Sequence, residues 1–421
     1  MKNVEGVPHS SLSILNSSFP IGLQVLAIAP TPFFSDYGCH VRIAEEVAAL
    51  GKHGVETIVA TYPFGRDLPD VPIRRAPKLP GQRRVDPGSS LHKLSMDAAL
   101  AGRALLSAGS QRPALLHGHL HEGALIAWTL ARATRAPMVF DFQGSLTAEM
   151  IDHGFVQVGT PAFQMFRRAE CWIVDHADAI VTSTRHGADV LVREFGCAAA
   201  RITVVPDAVN TDRFRPLWES DRADGEAGRS RALRRALGIR EGQPIVLYLG
   251  LLAEYQGITH LLRAAQVLVE GGSDAHFLVM GFPGEDRYRR LAAQLGIDHR
   301  VTFTGAIHYE QAPAYLALGT LAVSPKISLT EGNGKLLNYI AMGLPTVAFD
   351  TPVSREILGA DGIYARCADW QALAREIDGA LRDPDGLAKR GRALRSKAVT
   401  SHTWERSVGP LLDVYGRLLG A

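Results

Sequence analysis

The feature that most restricts this chain is a pattern that runs through it twice. Short, continuous apolar runs alternate with amphipathic stretches of helical period. In the first half, runs at 25–29, 55–61, 138–142, 179–182 and 201–206 read as strands, and a further strand enters 115–123. Helices are predicted at 39–50 and 91–108 and ending at 177. In the second half, strands at 245–249, 277–280, 301–303, 321–323 and 346–349 alternate with helices at 257–268, 287–295, 310–318 and 335–342. Continuous apolar runs, rather than alternating ones, mark strands buried on both faces. Strands alternating with helices imply parallel sheets, so the fold class is α/β.

A length of 421 residues suits two such domains. With 46% hydrophobic and 21% charged residues and a net charge of +2, the chain reads as an ordinary globular protein. No bulk charge calls for nucleic acid. Cys39, Cys171, Cys197 and Cys367 are scattered, with no C-x-x-C pair, which points to reduced cysteines rather than a zinc site or disulfide framework. Residues 1–21 are polar and serine-rich, without a strong hydrophobic signal segment, and read as a loose tail. No window approaches the roughly 20 apolar residues of a spanning helix. A cytoplasmic location is expected, with peripheral attachment at the inner membrane face left open.

The most informative stretch is 324–348, SPKISLTEGNGKLLNYIAMGLPTVA. It reads as strand end, glycine loop, short helix and next strand. Gly343 suits the position after a helix end, and Pro345 follows where a helix cannot continue. A glycine-flanked helix start offers free backbone N–H groups to an anion. Lys326 and Lys335 flank it, while Glu331 shares the loop. A carboxylate beside an anion site suggests a ligand with both phosphate and hydroxyl groups. The plainer reading is a turn whose glycines only let the chain bend.

This stretch resembles the donor-site signature of the family 4 glycosyltransferases. That signature has a glutamate, a Gly-x-Gly-like loop, a second acid on the helix, and Met-x-x-Gly-x-Pro-x-Val. Glu331 is the first acid, and Asn338 stands where the second is expected, with the spacing one residue short. Asn338 can hydrogen-bond a ribose hydroxyl but cannot make the charge-assisted bond of a carboxylate. The resemblance covers roughly 23–420 and implies the GT-B fold, two Rossmann-like domains facing across a cleft. The N-terminal, acceptor-side domain is expected at 22–208 and the donor domain at 209–402, with 403–421 crossing back as a helix. Residues 204–214, VVPDAVNTDRF, resemble the hinge of the family. The charged, Gly-rich segment 216–243 suits a linker or surface helix.

Other positions follow from the same resemblance. Gly38 resembles the first glycine loop at the cleft, where Asp36 and His40 could face a ligand or serve a turn and cap. The run LLHGHLHEG at 115–123 places His117, His119 and His121 on one side if the strand continues. The trio invites a metal reading, but the surrounding sequence offers no supporting ligand set. The family has a His-x-His here, which assigns His119 to the transferred sugar, with His121 next and His117 structural. Asp141, Gln143 and Ser145 follow a strand end, where ligands bind in parallel sheets. They are acceptor-side candidates or helix caps, and Arg185 is a further candidate or a surface charge.

Family members carry Gly-Arg-Leu-x-x-x-Lys-Gly after the first strand of the donor domain. Here the match is Gly250 to Gly257, with Leu251 in place of the arginine and Gln256 in place of the lysine. The expectation is that Lys326 and Lys335 supply the missing charge. Gly305 and Ile307 are expected near the base, and Gly332, Asn333 and Gly334 at the phosphate or sugar.

The implied activity is retaining transfer of a sugar from a nucleoside diphosphate to an acceptor hydroxyl, in glycan, cell-envelope or glycoconjugate biosynthesis. The donor is a nucleotide sugar. The acceptor is left open and includes lipid-linked and glycan classes. No cofactor or metal is called for. Asp383-Pro-Asp385 formally makes a D-x-D, but a proline turn with a helix cap explains it. The basic segment 74–93 reads as a solvated loop or as a contact with an anionic acceptor or membrane. Two rival readings are another GT-B reaction, such as nucleotide-sugar 2-epimerisation or phosphorolysis, and a non-catalytic subunit that partners a glycosyltransferase.

Overall fold

The computed structural model describes residues 22–80, 91–219, 223–329 and 331–420. The expected tail at 1–21, and Arg83 and Arg84 of the basic segment, lie outside the described residues.

The first sheet has seven strands: β1 (Leu23–Ala29), β2 (Val55–Thr61), β3 (Ile73–Arg75), β4 (Leu115–His119), β5 (Met138–Phe142), β6 (Ala179–Thr182) and β7 (Ile202–Val204). Their spatial order is β3-β2-β1-β4-β5-β6-β7. The second has six: β8 (Ile245–Leu249), β9 (His276–Met280), β10 (Val301–Gly305), β11 (Leu321–Ser324), β12 (Thr346–Phe349) and β13 (Ile363–Ala365). Their order is β10-β9-β8-β11-β12-β13. Every pairing in both sheets is parallel, as continuous apolar runs require.

The basic stretch departs from its reading as irregular at one place. Ile73–Arg75 forms the edge strand β3. The Arg75 guanidinium donates to the carbonyls of Phe33 (2.6 Å) and Phe64 (2.7 Å), so this charge is spent inside the domain. The 216–243 segment contains the helix Ala223–Ala236. Asp383 caps the helix Pro384–Ser401 by accepting from Gly386 N–H at 2.9 Å, as the proline-turn reading of the D-x-D expects.

The two units are packed together, not merely tethered. One core cluster runs from Phe33, Phe34 and Ile43 of the first unit to Tyr309, Ala312 and Leu316 of the second. The chain crosses between units twice, at 205–219 and again before Trp404, and the crossings touch: Val209 N–H donates to the His402 carbonyl at 2.9 Å. The Arg395 guanidinium holds the first crossing by its carbonyls, reaching Phe214 O at 2.9 Å and Thr211 O at 3.2 Å, and ties it to Ala341 O of the second unit at 2.9 Å. The last helix, Trp404–Leu419, then covers a face of the first sheet. Its Trp404, Val408, Leu411 and Tyr415 pack on Leu23, Val25, Val139 and Val181.

Candidate active site

In each sheet the strand order reverses direction once, between β1 and β4 and between β8 and β11. At such a point the loops leaving neighbouring strands diverge and leave a crevice at the carboxyl ends. Here the two crevices face each other and enclose a cavity of about 360 Å³.

The second unit contributes the loops after β8 and β11, and glycine lets them meet. Gly257 lies at φ +78°, and a Cβ there would be 1.9 Å from the Pro325 carbonyl oxygen. Gly250 lies at φ +146°, with a Cβ only 2.9 Å from Cε of Lys335. Lys335 begins the helix Lys335–Ala341. Its ammonium donates to Gln256 Oε1 at 2.5 Å, lies 3.3 Å from the Tyr248 hydroxyl, and sits 4.6 Å from the Tyr248 ring centre. Burial, and then the charge of Lys326, hold its pKa well below the usual lysine value, against the pull of Glu331.

Lys326 is placed differently. It donates to Glu331 Oε2 at 2.7 Å and to the Gly332 carbonyl at 2.6 Å. Its charge is therefore matched within the loop, whereas the sequence had given it the same role as Lys335. Asn333 is anchored to Ser324 Oγ at 3.0 Å. Gly332, Gly334, Asn338, Gln256, Gly250 and Ile307 all line the cavity. Gly305 is not among the lining residues, although Ala306 and Ile307 are.

The first unit places its histidines unlike a continued strand. β4 ends at His119, and Leu120 takes φ +59°, which turns the chain into the helix Leu120–Thr134. The rings of His117 and His119 stack with centroids 4.4 Å apart, while His121 is redirected to the cavity wall. His117 Nδ1 meets the Tyr415 hydroxyl at 2.8 Å, a structural bond to the last helix. His119 is buried, with Nδ1 2.9 Å from Asp141 Oδ2 and with no protein partner for Nε2. It lies behind the cavity wall rather than among the lining residues. His121 Nε2 is 3.3 Å from Glu170 Oε1.

Asp141 organises this half. It accepts from Gln143 Nε2 at 2.7 Å and pairs with Arg42, which also binds Asp207. Burial raises the Asp141 carboxyl, but Arg42 and His119 outweigh it and hold the group far below the usual range. Asp36 is taken up between the units: it receives Arg66 Nη2 at 2.7 Å and Tyr309 N–H at 2.8 Å. Arg185 lies away from the cavity, where its backbone N–H donates to Glu356 at 2.8 Å.

Sequence reasoning missed Arg42, Glu149, His153 and Tyr255, all of which line the cavity. Arg42, Glu149 and His153 sit in or beside helices whose sequence reads as ordinary amphipathic surface, so no local signal marked them, while Tyr255 falls at a variable position of the Gly250–Gly257 motif. Among the described residues, two clusters have ligand atoms close enough for an ion: Glu46, His117 and His119, and Asp36, His308 and Glu310. Arg42 lies 3.7 Å from Glu46, and Arg66 already occupies Asp36 and Glu310, so a resident cation opposes each cluster.

The matches to known proteins agree with this geometry. Residues 37–208 match the model of the glycosyl transferase 4-like domain, and residues 229–397 match that of glycosyl transferases group 1. The chain belongs to the family 4 glycosyltransferases. It is a GT-B enzyme that transfers glycosyl groups. It is 29% identical over 289 residues to a 2-deoxystreptamine glucosyltransferase of Streptomyces kanamyceticus, covering 66% of this chain and 68% of that one. It is 27% identical over 404 residues to a D-inositol 3-phosphate glycosyltransferase of Nocardia farcinica, covering 91% and 85%. Among solved structures, Anabaena HepE in complex with UDP-glucose superposes with a TM-score of 0.72 at 14% identity, covering 94% of this glycosyltransferase and 99% of that chain. Among its described residues, no helix is long and apolar enough to cross a membrane.

Proposed function

We propose that this glycosyltransferase takes its sugar from a nucleoside diphosphate and passes it to an acceptor hydroxyl with retention of anomeric configuration. The observation that carries the reading is Lys335. Among the described cavity-lining residues it is the lysine or arginine with no carboxylate at ion-pair distance: Arg42 has Asp141 and Asp207, Lys93 has Glu122, and Lys326 has Glu331. A half-buried lysine beside glycines, with no carboxylate partner and a depressed pKa, suits a diphosphate that arrives with the donor and favours its charged form. The structural neighbour HepE of Anabaena, solved in complex with UDP-glucose, supports the same class of donor.

In this reading Glu331 binds sugar hydroxyls, and the N–H groups of Gly332 to Gly334 meet phosphate or sugar. Asn338 holds the ribose, and the backbone at 304–307 meets the base. His121, the second histidine the resemblance offered, lines the cavity and meets the sugar near the reacting carbon, while His119, held by Asp141, supports the wall. The acceptor oxygen attacks the face from which the diphosphate departs, and the diphosphate takes the acceptor proton. Charge from Lys335 and backbone N–H groups stabilises the leaving group, so no metal or other cofactor enters the scheme.

The test is thermal unfolding with millimolar UDP, GDP, ADP and dTDP, each with and without magnesium. A ligand selective for the native state adds about 2.7 kcal/mol at a hundredfold excess over its dissociation constant. A shift with one diphosphate, unchanged by magnesium, is expected. No shift with any of them would reject the donor assignment. Proton NMR of the product would then settle retention, because the anomeric coupling must match that of the donor.

A further inference from the structure

The charges in the cavity point to the chemical class of the acceptor, on the footing that the chain is the transferase described above. The lining carboxylates of Asp36, Asp207, Glu122 and Glu331 each have a cation, namely Arg66, Arg42, Lys93 and Lys326. Glu149 is the exception among the described lining residues. It stands on the helix Leu146–Asp152 in the wall of the first unit. Among the described residues the nearest basic nitrogen is Nδ1 of His153, 3.9 Å away, and burial holds that imidazole toward its neutral form. Among the described residues the cavity therefore holds two ionisable groups with no lysine, arginine or carboxylate partner: Lys335 on the donor side and Glu149 on the opposite unit.

We propose that the acceptor carries an ammonium group that pairs with Glu149, so that the enzyme glycosylates aminated sugars or aminocyclitols in preference to neutral or phosphorylated ones. Glu149 is a specificity residue in this account. The ammonium does not react: the bond from the anomeric carbon to diphosphate breaks, the bond to an acceptor hydroxyl oxygen forms, and the hydroxyl proton leaves with the diphosphate. An anionic acceptor group would instead meet Glu149 with Glu331 nearby.

The titration of Glu149 agrees with the geometry. Burial, and then Glu331, push its carboxyl up to about 7; Glu122 adds to this, while Lys93 and His121 pull the other way. A bound ammonium would reverse the rise by favouring the carboxylate.

The experiment uses the full chain saturated with the nucleoside diphosphate that stabilises it. Calorimetric titration compares glucosamine, glucose and glucose 6-phosphate, and in parallel 2-deoxystreptamine, myo-inositol and myo-inositol 1-phosphate. The aminated member of at least one set is expected to bind tenfold or more tightly than its neutral partner. Glu149→Gln should erase that preference while leaving nucleotide affinity unchanged. In the unaltered chain, affinity for the amine should rise as pH increases toward 7 and fall again once the amine loses its own proton, whereas Glu149→Gln should lose the rising limb. The proposal is overturned if the phosphorylated members bind best, if Glu149→Gln weakens all members alike, or if no amine binds. A chain that binds no nucleoside diphosphate would reject the donor reading instead, and amine binding to the free chain would still decide the acceptor class.

Discussion

The ammonium of Lys335 rests 2.5 Å from the side-chain oxygen of Gln256, at the place where the sequence of this family leads one to expect a lysine on residue 256 itself. The amine therefore comes from the start of the helix after β11 and meets the loop after β8 at the side chain of Gln256. Gly250 makes the contact feasible, since a side chain there would collide with Lys335.

Lys335→Met should therefore weaken binding of the nucleoside diphosphate by about 10- to 100-fold, the worth of one charge-assisted bond of roughly 1.5–3 kcal/mol. Affinity for the matching nucleoside, which lacks phosphate, should stay within twofold. Adding Gln256→Lys to Lys335→Met should restore much of the loss. Titration of nucleoside and diphosphate against the three variants checks this, and equal losses for both ligands would refute it.

Tyr415 ties the returning helix to the first sheet through a buried bond to His117 Nδ1 at 2.8 Å. Tyr415→Phe keeps the packing and leaves the imidazole nitrogen unsatisfied, which costs about 1–3 kcal/mol. Urea unfolding should show that loss with the slope unchanged. Nucleotide affinity should be untouched, because neither His117 nor Tyr415 lines the cavity.

Glu46 is buried beside Arg42 and His117. Burial raises its carboxyl to about 7, although Arg42 and His119 pull it down. Below about pH 4.5 both folded and unfolded chains hold this proton, and the group is neutral in both. Between there and pH 7 the unfolded chain loses the proton while the folded chain keeps it, so stability falls as pH rises. The total is about 3 kcal/mol for a shift of this size. Glu46→Gln removes the titration. The stability of the variant relative to the unaltered protein should therefore be greater at pH 8 than at pH 4.5. A difference that does not change with pH, measured by urea unfolding, would refute the assignment.

Much of this architecture could be read from the chain because it rests on local pattern. Apolar runs such as 25–29 and 245–249 can only be buried parallel strands, and Gly343 and Pro345 punctuate one helix unmistakably. The loop at 331–334 is contiguous, so its place in the cavity was legible too. What could not be read depends on how distant segments meet. Lys326 and Lys335 are equivalent as sequence, and only the fold gives one of them a carboxylate. The left-handed turn at Leu120, which separates His119 from His121, has no glycine to announce it. The free carboxylate of Glu149 is invisible until each of its neighbours has been paired elsewhere.

Gly257 gives the sharpest test of how the donor loops are held. It combines a left-handed backbone, φ +78°, with a Cβ position 1.9 Å from the Pro325 carbonyl oxygen. The neighbouring contact is backbone, so a side chain cannot be accommodated by a rotamer change. Gly257→Ala must move the loop after β8 away from the loop after β11. The backbone conformation alone costs on the order of 1 kcal/mol, and relieving the overlap adds more, for about 2–4 kcal/mol in all. Moving Gln256 also withdraws the partner of Lys335, so nucleoside diphosphate affinity should fall together with stability. Gly271, which ends the helix Ile258–Glu270 at φ −76°, supplies the control. A Cβ there would come within 3.2 Å of the Val267 carbonyl oxygen, a tight contact without a left-handed backbone, so Gly271→Ala should cost at most about 1 kcal/mol and leave diphosphate affinity unchanged. Thermal unfolding of the two variants with and without the diphosphate checks the pair. If Gly257→Ala kept full affinity, the two loops would not form one rigid phosphate cradle.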